Sequence, residues 1–344
     1  MSNLQNLLSK IRELPPIKQR GVAAIIGATV ADAASRPLHW IYNQETLKSI
    51  LGNETKVEFW FENRSPFYSI PLGERSSYNE EAYVSLYSLY EKNGMLSKED
   101  ICTKIVQHFG PNTRYEDAYM RRKVKYDPAT KAEYVPPIEG PWIHGAVINF
   151  LEKYAEKAVE PYGSSDNKDL DSFCLALPII ARNAEEKNLW DIVSPVTSLF
   201  SSNEKATSIF HMCTTMLSSF ILNCDKPIEK IKTEFKEVYP ELVELLNEVD
   251  QQLDSPFEVV VAKYGKACGL PGSFVGAYVC LQMTSSFVDA VRLNITGGGC
   301  NCSRANLIGA CFGAKYGIDS IPIDWLEKVV GIEKIMDMAI GIFS

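Results

Sequence analysis

The reading of this chain turns on Gly297-Gly298-Gly299-Cys300-Asn301-Cys302-Ser303-Arg304-Ala305-Asn306-Leu307-Ile308-Gly309-Ala310. Three glycines run into a helix of small residues, and two thiols stand at its mouth. A loop of this kind aims backbone N–H groups and the positive end of a helix at one spot, which suits an anion or a polar ligand. Gly297, Gly298 and Gly299 are therefore a candidate ligand loop. The groups at the mouth are soft sulfurs, where a hard cation would need carboxylates.

Working outward, a second small-residue segment lies near the N-terminus. Lys18 to Ser35 reads as a helix ended by Pro37, and Gly21, Ala24, Gly27, Ala28 and Ala31 make it a thin rod that neighbours can approach closely. Helical periodicity dominates the rest, and strand alternation is scarce. Further helices are expected over Asn3 to Leu14, Asn79 to Lys92, Ser97 to Phe109, Ile143 to Lys157, Ser172 to Lys187, Asn203 to Leu222, Pro240 to Gln252, Ser273 to Val291, Ser303 to Tyr316 and Asp324 to the C-terminus. Ser77 with Glu80, and Ser97 with Asp100, have the spacing of capping boxes. Tyr83, Leu86, Tyr87 and Tyr90 have the spacing of a buried stripe. Pro111 to Pro141 and Pro161 to Asp169 read as loops. No linker and no internal repeat divides the chain, so residues 1–344 are expected to form one all-α domain.

The composition is that of a globular protein, with 46% hydrophobic and 23% charged residues among 344. The formal net charge of −8 leaves no basic surplus to neutralise phosphates, which disfavours nucleic acid as a partner. No apolar run is long enough to span a bilayer, and Met1 to Lys10 lacks the apolar core of a signal peptide. The expected location is cytoplasmic, where the nine cysteines would be free thiols.

Three features carry candidate chemistry. Asn79-Glu80-Glu81 opens a helix, where paired carboxylates either hold a cation or simply complement the helix dipole. Asp32 is a lone carboxylate within an apolar helix and needs donors around it, either as support for a site or as a satisfied structural group. Cys300 and Cys302 precede a helix, whose positive end favours thiolate. They read as redox candidates, as two ligands for zinc or copper, or as inert thiols in a tight turn. Neither the four histidines nor any further cysteine has a spacing that completes a metal site. His144 is either a helix start near a cleft or a packed side chain.

The order of these segments resembles the ADP-ribosylglycohydrolase family. Ile26-Gly27-Ala28-Thr29-Val30-Ala31-Asp32-Ala33-Ala34 is similar to its first small-residue helix, Tyr78-Asn79-Glu80-Glu81-Ala82 stands in place of its Thr-Asp-Asp-Thr element, and Gly298-Gly299-Cys300-Asn301-Cys302-Ser303 in place of Gly-Gly-Asp-Thr-Asp. The resemblance implies a compact orthogonal helical bundle and an activity that releases ADP-ribose with two magnesium ions. Carried over, Asn79 replaces a threonine, Glu80 and Glu81 replace two aspartates, and Cys300 and Cys302, followed by Ser303, replace two more. Longer carboxylate arms and thiols in place of hard oxygen ligands predict a degraded magnesium site, because magnesium demands near-octahedral oxygen geometry. The Gly-Gly-Cys-Asn-Cys-Ser-Arg pattern resembles the branch of selenoprotein J and the J-crystallins of jellyfish lenses. That branch implies a crystallin-like structural protein without a cofactor. The alternatives are hydrolase activity with Glu80 and Glu81 as the catalytic pair, thiol chemistry at Cys300 and Cys302, or ADP-ribose or a related nucleotide held in a vestigial cleft.

Overall fold

The computed structural model describes residues 3–124 and 135–343. Among them the chain forms 18 α-helices, and two two-residue strands, Tyr68–Ser69 and Ile138–Glu139, pair in parallel. The two thin rods are the hub. The Pro16–Ser35 helix starts at a proline whose missing N–H costs nothing there, and every residue from Gly21 to Ser35 is buried. It lies against the Asn301–Tyr316 helix, which is buried from Asn301 to Ala314. Glycine sets this contact: a Cβ on Gly27 would meet the Gly309 carbonyl oxygen at 2.2 Å, and one on Gly309 would meet that of Gly27 at 2.3 Å. The helices Ser77–Glu91, Asp171–Arg182, Glu204–Ile221, Gly272–Met283 and Phe287–Thr296 pack around this pair. No helix among the described residues is long and apolar enough to cross a membrane.

Several expectations change in the structure. Ser273 to Val291 is two helices, Gly272–Met283 and Phe287–Thr296, because Ser286 caps the second by accepting from the Asp289 N–H. Asp324 to the C-terminus likewise divides into Ile323–Lys328 and Ile332–Gly341, with Gly331 left-handed between them. The expected loop Pro111 to Pro141 holds the helix Glu116–Val124 and the second strand, and its residues 125–134 lie outside the described residues. Helices also form at Gln44–Leu51, Leu189–Thr197, Pro227–Phe235 and Phe257–Tyr264, stretches too short to show a clear period.

Ser97 caps its helix from the Asp100 N–H as expected, but Ser77 does not form a box with Glu80. Ser77 is already helical and donates to the Trp142 carbonyl, while Glu80 pairs with Arg75 and His108. Charged tertiary partners outcompete the local cap. Of the stripe Tyr83, Leu86, Tyr87 and Tyr90, Leu86 is buried as expected but the tyrosines turn outward: Tyr83 and Tyr87 are half-buried beside Lys334, and Tyr90 is exposed. The buried face of that helix carries Tyr78, Asn79, Glu81, Val84, Ser85 and Leu89, so polar residues face the core where the site lies.

Candidate functional site

The Gly297-Gly298-Gly299 turn is buried, and its N–H groups point inward. Gly297 donates to the Leu293 carbonyl, Gly298 to that of Ile295 and Gly299 to that of Ile41, and the Cys300 N–H donates to the Lys266 carbonyl at 2.7 Å. Gly298 and Gly299 have φ of 66° and 64°, the left-handed region that favours glycine. Each is also pressed against backbone: a Cβ on Gly299 would lie 2.3 Å from the Lys266 oxygen. The turn thus fastens three chain segments together. Beneath it the fully buried Arg304 donates to Asn294 Oδ1 at 2.8 Å and to the Gly298 carbonyl at 2.6 Å.

Asp32 sits at the centre of a closed network. It accepts from the Ser76 N–H at 2.7 Å, from Ser76 Oγ at 2.6 Å and from Asn306 Nδ2 at 3.0 Å. Asn79 Nδ2 donates to Asn306 Oδ1 at 2.8 Å. Burial raises the Asp32 pKa, and the Ser76 and Asn306 donors oppose that rise. The two adjacent glutamates part company. Glu80 leaves the core for a second cleft, where it lies 2.5 Å from Arg75 and 2.8 Å from His108. Burial would raise its pKa, but Arg75 and His108 outweigh burial and pull it down to about 2. Glu81 stays inside, with Oε1 2.6 Å from His144 Nδ1, and burial together with Asp169 and Asp32 raises its pKa well above the usual range. Among the described residues, Glu81 Oε2 and His144 Nε2 find no hydrogen-bond partner.

Cys300 and Cys302 are both sealed from solvent and face different surroundings. Cys302 Sγ is 3.8 Å from the Asp32 carbonyl, and burial and the Asp32 charge raise its pKa. Cys300 Sγ is 3.4 Å from His39 Nε2 and 3.3 Å from Tyr78 Oη. Burial opposes ionisation of Cys300, but hydrogen bonding from Cys268 and the nearby His39 outweigh it and lower its pKa. Ser303 Oγ donates to the Cys300 carbonyl at 2.9 Å.

Tyr78, His144 and Cys268 line a cavity of about 420 Å³ that also meets Trp40, Phe67 and Trp142. The three apolar rings stand edge to face, with Trp40 and Trp142 centroids 5.2 Å apart, and the Arg122 guanidinium sits 4.8 Å from the Trp142 ring centroid. His144 precedes the Gly145–Ala155 helix at this cavity, the cleft-side position considered from sequence. The fold therefore brings Asp32, Asn79, Cys302 and Asn306 into one network, places Glu81 and Cys300 at the back of the cavity, and sends Glu80 elsewhere. Sequence reasoning missed His39, Cys268 and Asp169. They come from separate loops, so no spacing connects them.

The oxygen donors here are engaged by other partners, and the sulfurs are soft ligands. Ser76 and Asn306 occupy the Asp32 oxygens, Arg75 and His108 hold Glu80, and thiols stand at positions 300 and 302. Among the described residues, no group of three or more His, Cys, Asp and Glu side chains is arranged to hold a metal ion.

Comparison with known proteins follows the same lines. The family model for ADP-ribosylglycohydrolase matches residues 13–343. Crystallin J1A of Tripedalia cystophora is 30% identical over 313 residues, spanning 90% of this chain and 92% of that protein. Crystallin J1B of the same animal is 28% identical over 334 residues, spanning 94% and 96%. A solved ADP-ribosylglycohydrolase-related protein complex superposes with a TM-score of 0.63 at 15% identity, covering 96% of this chain and 99% of that one, which shows the fold. With this coverage, the chain belongs to the ADP-ribosylglycohydrolase family.

Proposed function

We propose that this protein is a crystallin-like structural protein that keeps the family scaffold without its di-magnesium chemistry. The observation that carries this reading is the Glu80 side chain, held in an Arg75–Glu80–His108 cluster away from the Asp32 network. A carboxylate already paired with a guanidinium and an imidazole gains little from a metal and would leave both cations unpaired. The similarity to two J-crystallins and the net charge of −8, which promotes solubility at high concentration, support the same reading. The test is isothermal titration of the purified protein with magnesium chloride, together with an assay for ADP-ribose released from ADP-ribosylated protein. No saturable magnesium binding and no release above buffer are expected. Magnesium-dependent turnover would overturn the proposal.

A second reading has one observation in its favour. The aromatic walls of the cavity suit a flat ring, so ADP-ribose or a related nucleotide would bind there without being cleaved. A ligand at 100 times its dissociation constant stabilises a protein by about 2.7 kcal/mol, which a melting curve resolves. A shift with ADP-ribose that is the same with and without magnesium supports this reading. The absence of any shift removes it.

A further inference from the structure

The cavity at Trp40 and Trp142 carries more hydrogen-bond donors than its own fold uses. The Gly145–Ala155 helix begins on its wall, and among the described residues no side chain caps that helix. Gly145 and Ala146, in the first turn, line the cavity, so the positive end of the helix faces it. Arg122 stands beside this end. Its Nη1 donates to the Ile143 carbonyl at 2.7 Å, and its Nη2 lies 3.8 Å from where a Cβ on Gly145 would stand.

Two buried side chains point to a ligand independently of the helix. His144 is 5% exposed and Trp40 is 6% exposed, and both line the cavity. Among the described residues, neither His144 Nε2 nor Trp40 Nε1 finds a partner. A buried donor left unpaired costs about 1–3 kcal/mol, so two around one cavity mark a place that a bound group completes. The Trp40 indole N–H can only donate. His144 Nε2 is also a donor, because of what its other nitrogen meets. Nδ1 lies 2.6 Å from Glu81 Oε1, which turns Nε2 away from the carboxyl and toward the cavity. Burial favours the neutral carboxyl of Glu81 and the neutral imidazole of His144. The carboxyl O–H is the stronger donor and gives its hydrogen to Nδ1, which leaves the ring hydrogen on Nε2. Passing that proton to the ring would leave Nε2 a donor as well.

The remaining wall is aromatic. Phe67 lies 5.4 Å from Trp40, and Tyr78 lies 4.2 Å from His144, by ring centroids. Trp40 itself is fixed by its backbone N–H, which donates to the Gly299 carbonyl at 2.8 Å. Aromatic faces take a flat ring. A helix N-terminus beside a guanidinium takes a carboxylate. Asp169 is the opposing charge, the one carboxylate among the described lining residues.

We propose that this cavity binds a planar aromatic carboxylate, its ring against Trp40 and Trp142 and its acid group at the start of the Gly145–Ala155 helix, held by Arg122 and the His144 Nε2–H. The site shares its aromatic wall with the nucleotide reading above but needs neither ribose nor phosphate.

The test is isothermal titration of the purified protein with three probes that share one ring: the anion indole-3-acetate, the neutral tryptophol and the cation tryptamine. Saturable binding of indole-3-acetate is expected, tighter than that of tryptophol by about tenfold or more, as a charge-assisted hydrogen bond to a carboxylate predicts. Tryptamine should bind most weakly, because Arg122 and the helix end repel it. Arg122→Gln should remove most of the preference for indole-3-acetate and leave tryptophol binding unchanged. Asp169→Asn should tighten indole-3-acetate. Arg122 is exposed, so its replacement leaves the core intact, and the wild-type ranking decides even without the variants. Equal affinity for the three probes, tightest binding of tryptamine, or no binding of indole-3-acetate would overturn the proposal. No probe carries a phosphate, and ADP-ribose is titrated separately, so failure here and failure of the nucleotide reading are distinguishable.

Discussion

Two carboxylates, one half-buried and one buried, respond to pH in opposite directions. Glu80, held by Arg75 and His108, has its folded pKa lowered to about 2. It stabilises the fold above its unfolded pKa of roughly 4.3, and that contribution is lost as pH falls through about 2. Asp171 is different: burial and the neighbouring Glu81 and Asp169 raise its folded pKa to about 7. Its contribution is fully present below the unfolded pKa of roughly 3.9 and is lost as pH rises through about 7. Wild-type protein is therefore expected to melt lower at pH 8 than at pH 5. Asp171→Asn should gain about 1–3 kcal/mol more at pH 8 than at pH 5, because the loss that begins above the unfolded pKa is still incomplete at pH 5. Calorimetric melting curves of both proteins at the two pH values check this, and parallel pH profiles would refute it. Glu80→Gln should cost about 1–3 kcal/mol at neutral pH, because it leaves Arg75 and His108 without their anion. That deficit should shrink as the pH approaches the acid range in which wild-type Glu80 is itself protonated.

At the scale of elements, the hub depends on two helices touching backbone to backbone. Gly27→Ala or Gly309→Ala puts a methyl group into a carbonyl oxygen, so the helices must separate. The expected loss is about 1–3 kcal/mol for either, read from urea midpoints at unchanged slope. A neutral outcome for both would mean that the contact is less tight than described. The network that ties the Ser77–Glu91 helix to this hub is equally testable. Asp32→Ala strips the acceptor from Ser76 N–H, Ser76 Oγ and Asn306 Nδ2 at once. Leaving buried donors unpaired should cost about 2–4 kcal/mol, and urea denaturation of the variant measures it.

At the scale of the whole molecule, charge sets how copies meet. With a net charge of −8 and a pI near 5.3, mutual repulsion keeps copies apart at neutral pH. The second virial coefficient from static light scattering should be positive at pH 7 and low salt, and should fall toward zero or below near pH 5.3. A negative value at pH 7 would count against duty as a concentrated soluble protein.

Much of this was legible in sequence. The small-residue spacing of Gly21 to Ala31 and of Ala305 to Ala314 determined that two thin helices would pack closely, and prolines and capping serines placed several helix ends. Those are local signals, because they depend on residues a few positions apart. The breaks at Thr284 to Ser286 and at Gly331 were harder to see, since apolar residues continue on both sides of each. The direction taken by a side chain was not legible at all. Glu80 and Glu81 are adjacent, yet one finds Arg75 and His108 and the other His144, and only the packing of distant elements supplies those partners. Cys300 and Cys302 are two residues apart and read as one pair. The first turn of their helix points them to different neighbours: Cys302 faces the Asp32 carbonyl, whereas Cys300 meets His39 and Tyr78, which no local pattern connects to it. Local chemistry determined which elements form, and tertiary packing decided which polar groups meet, because a buried donor or charge takes whatever partner the fold brings within reach.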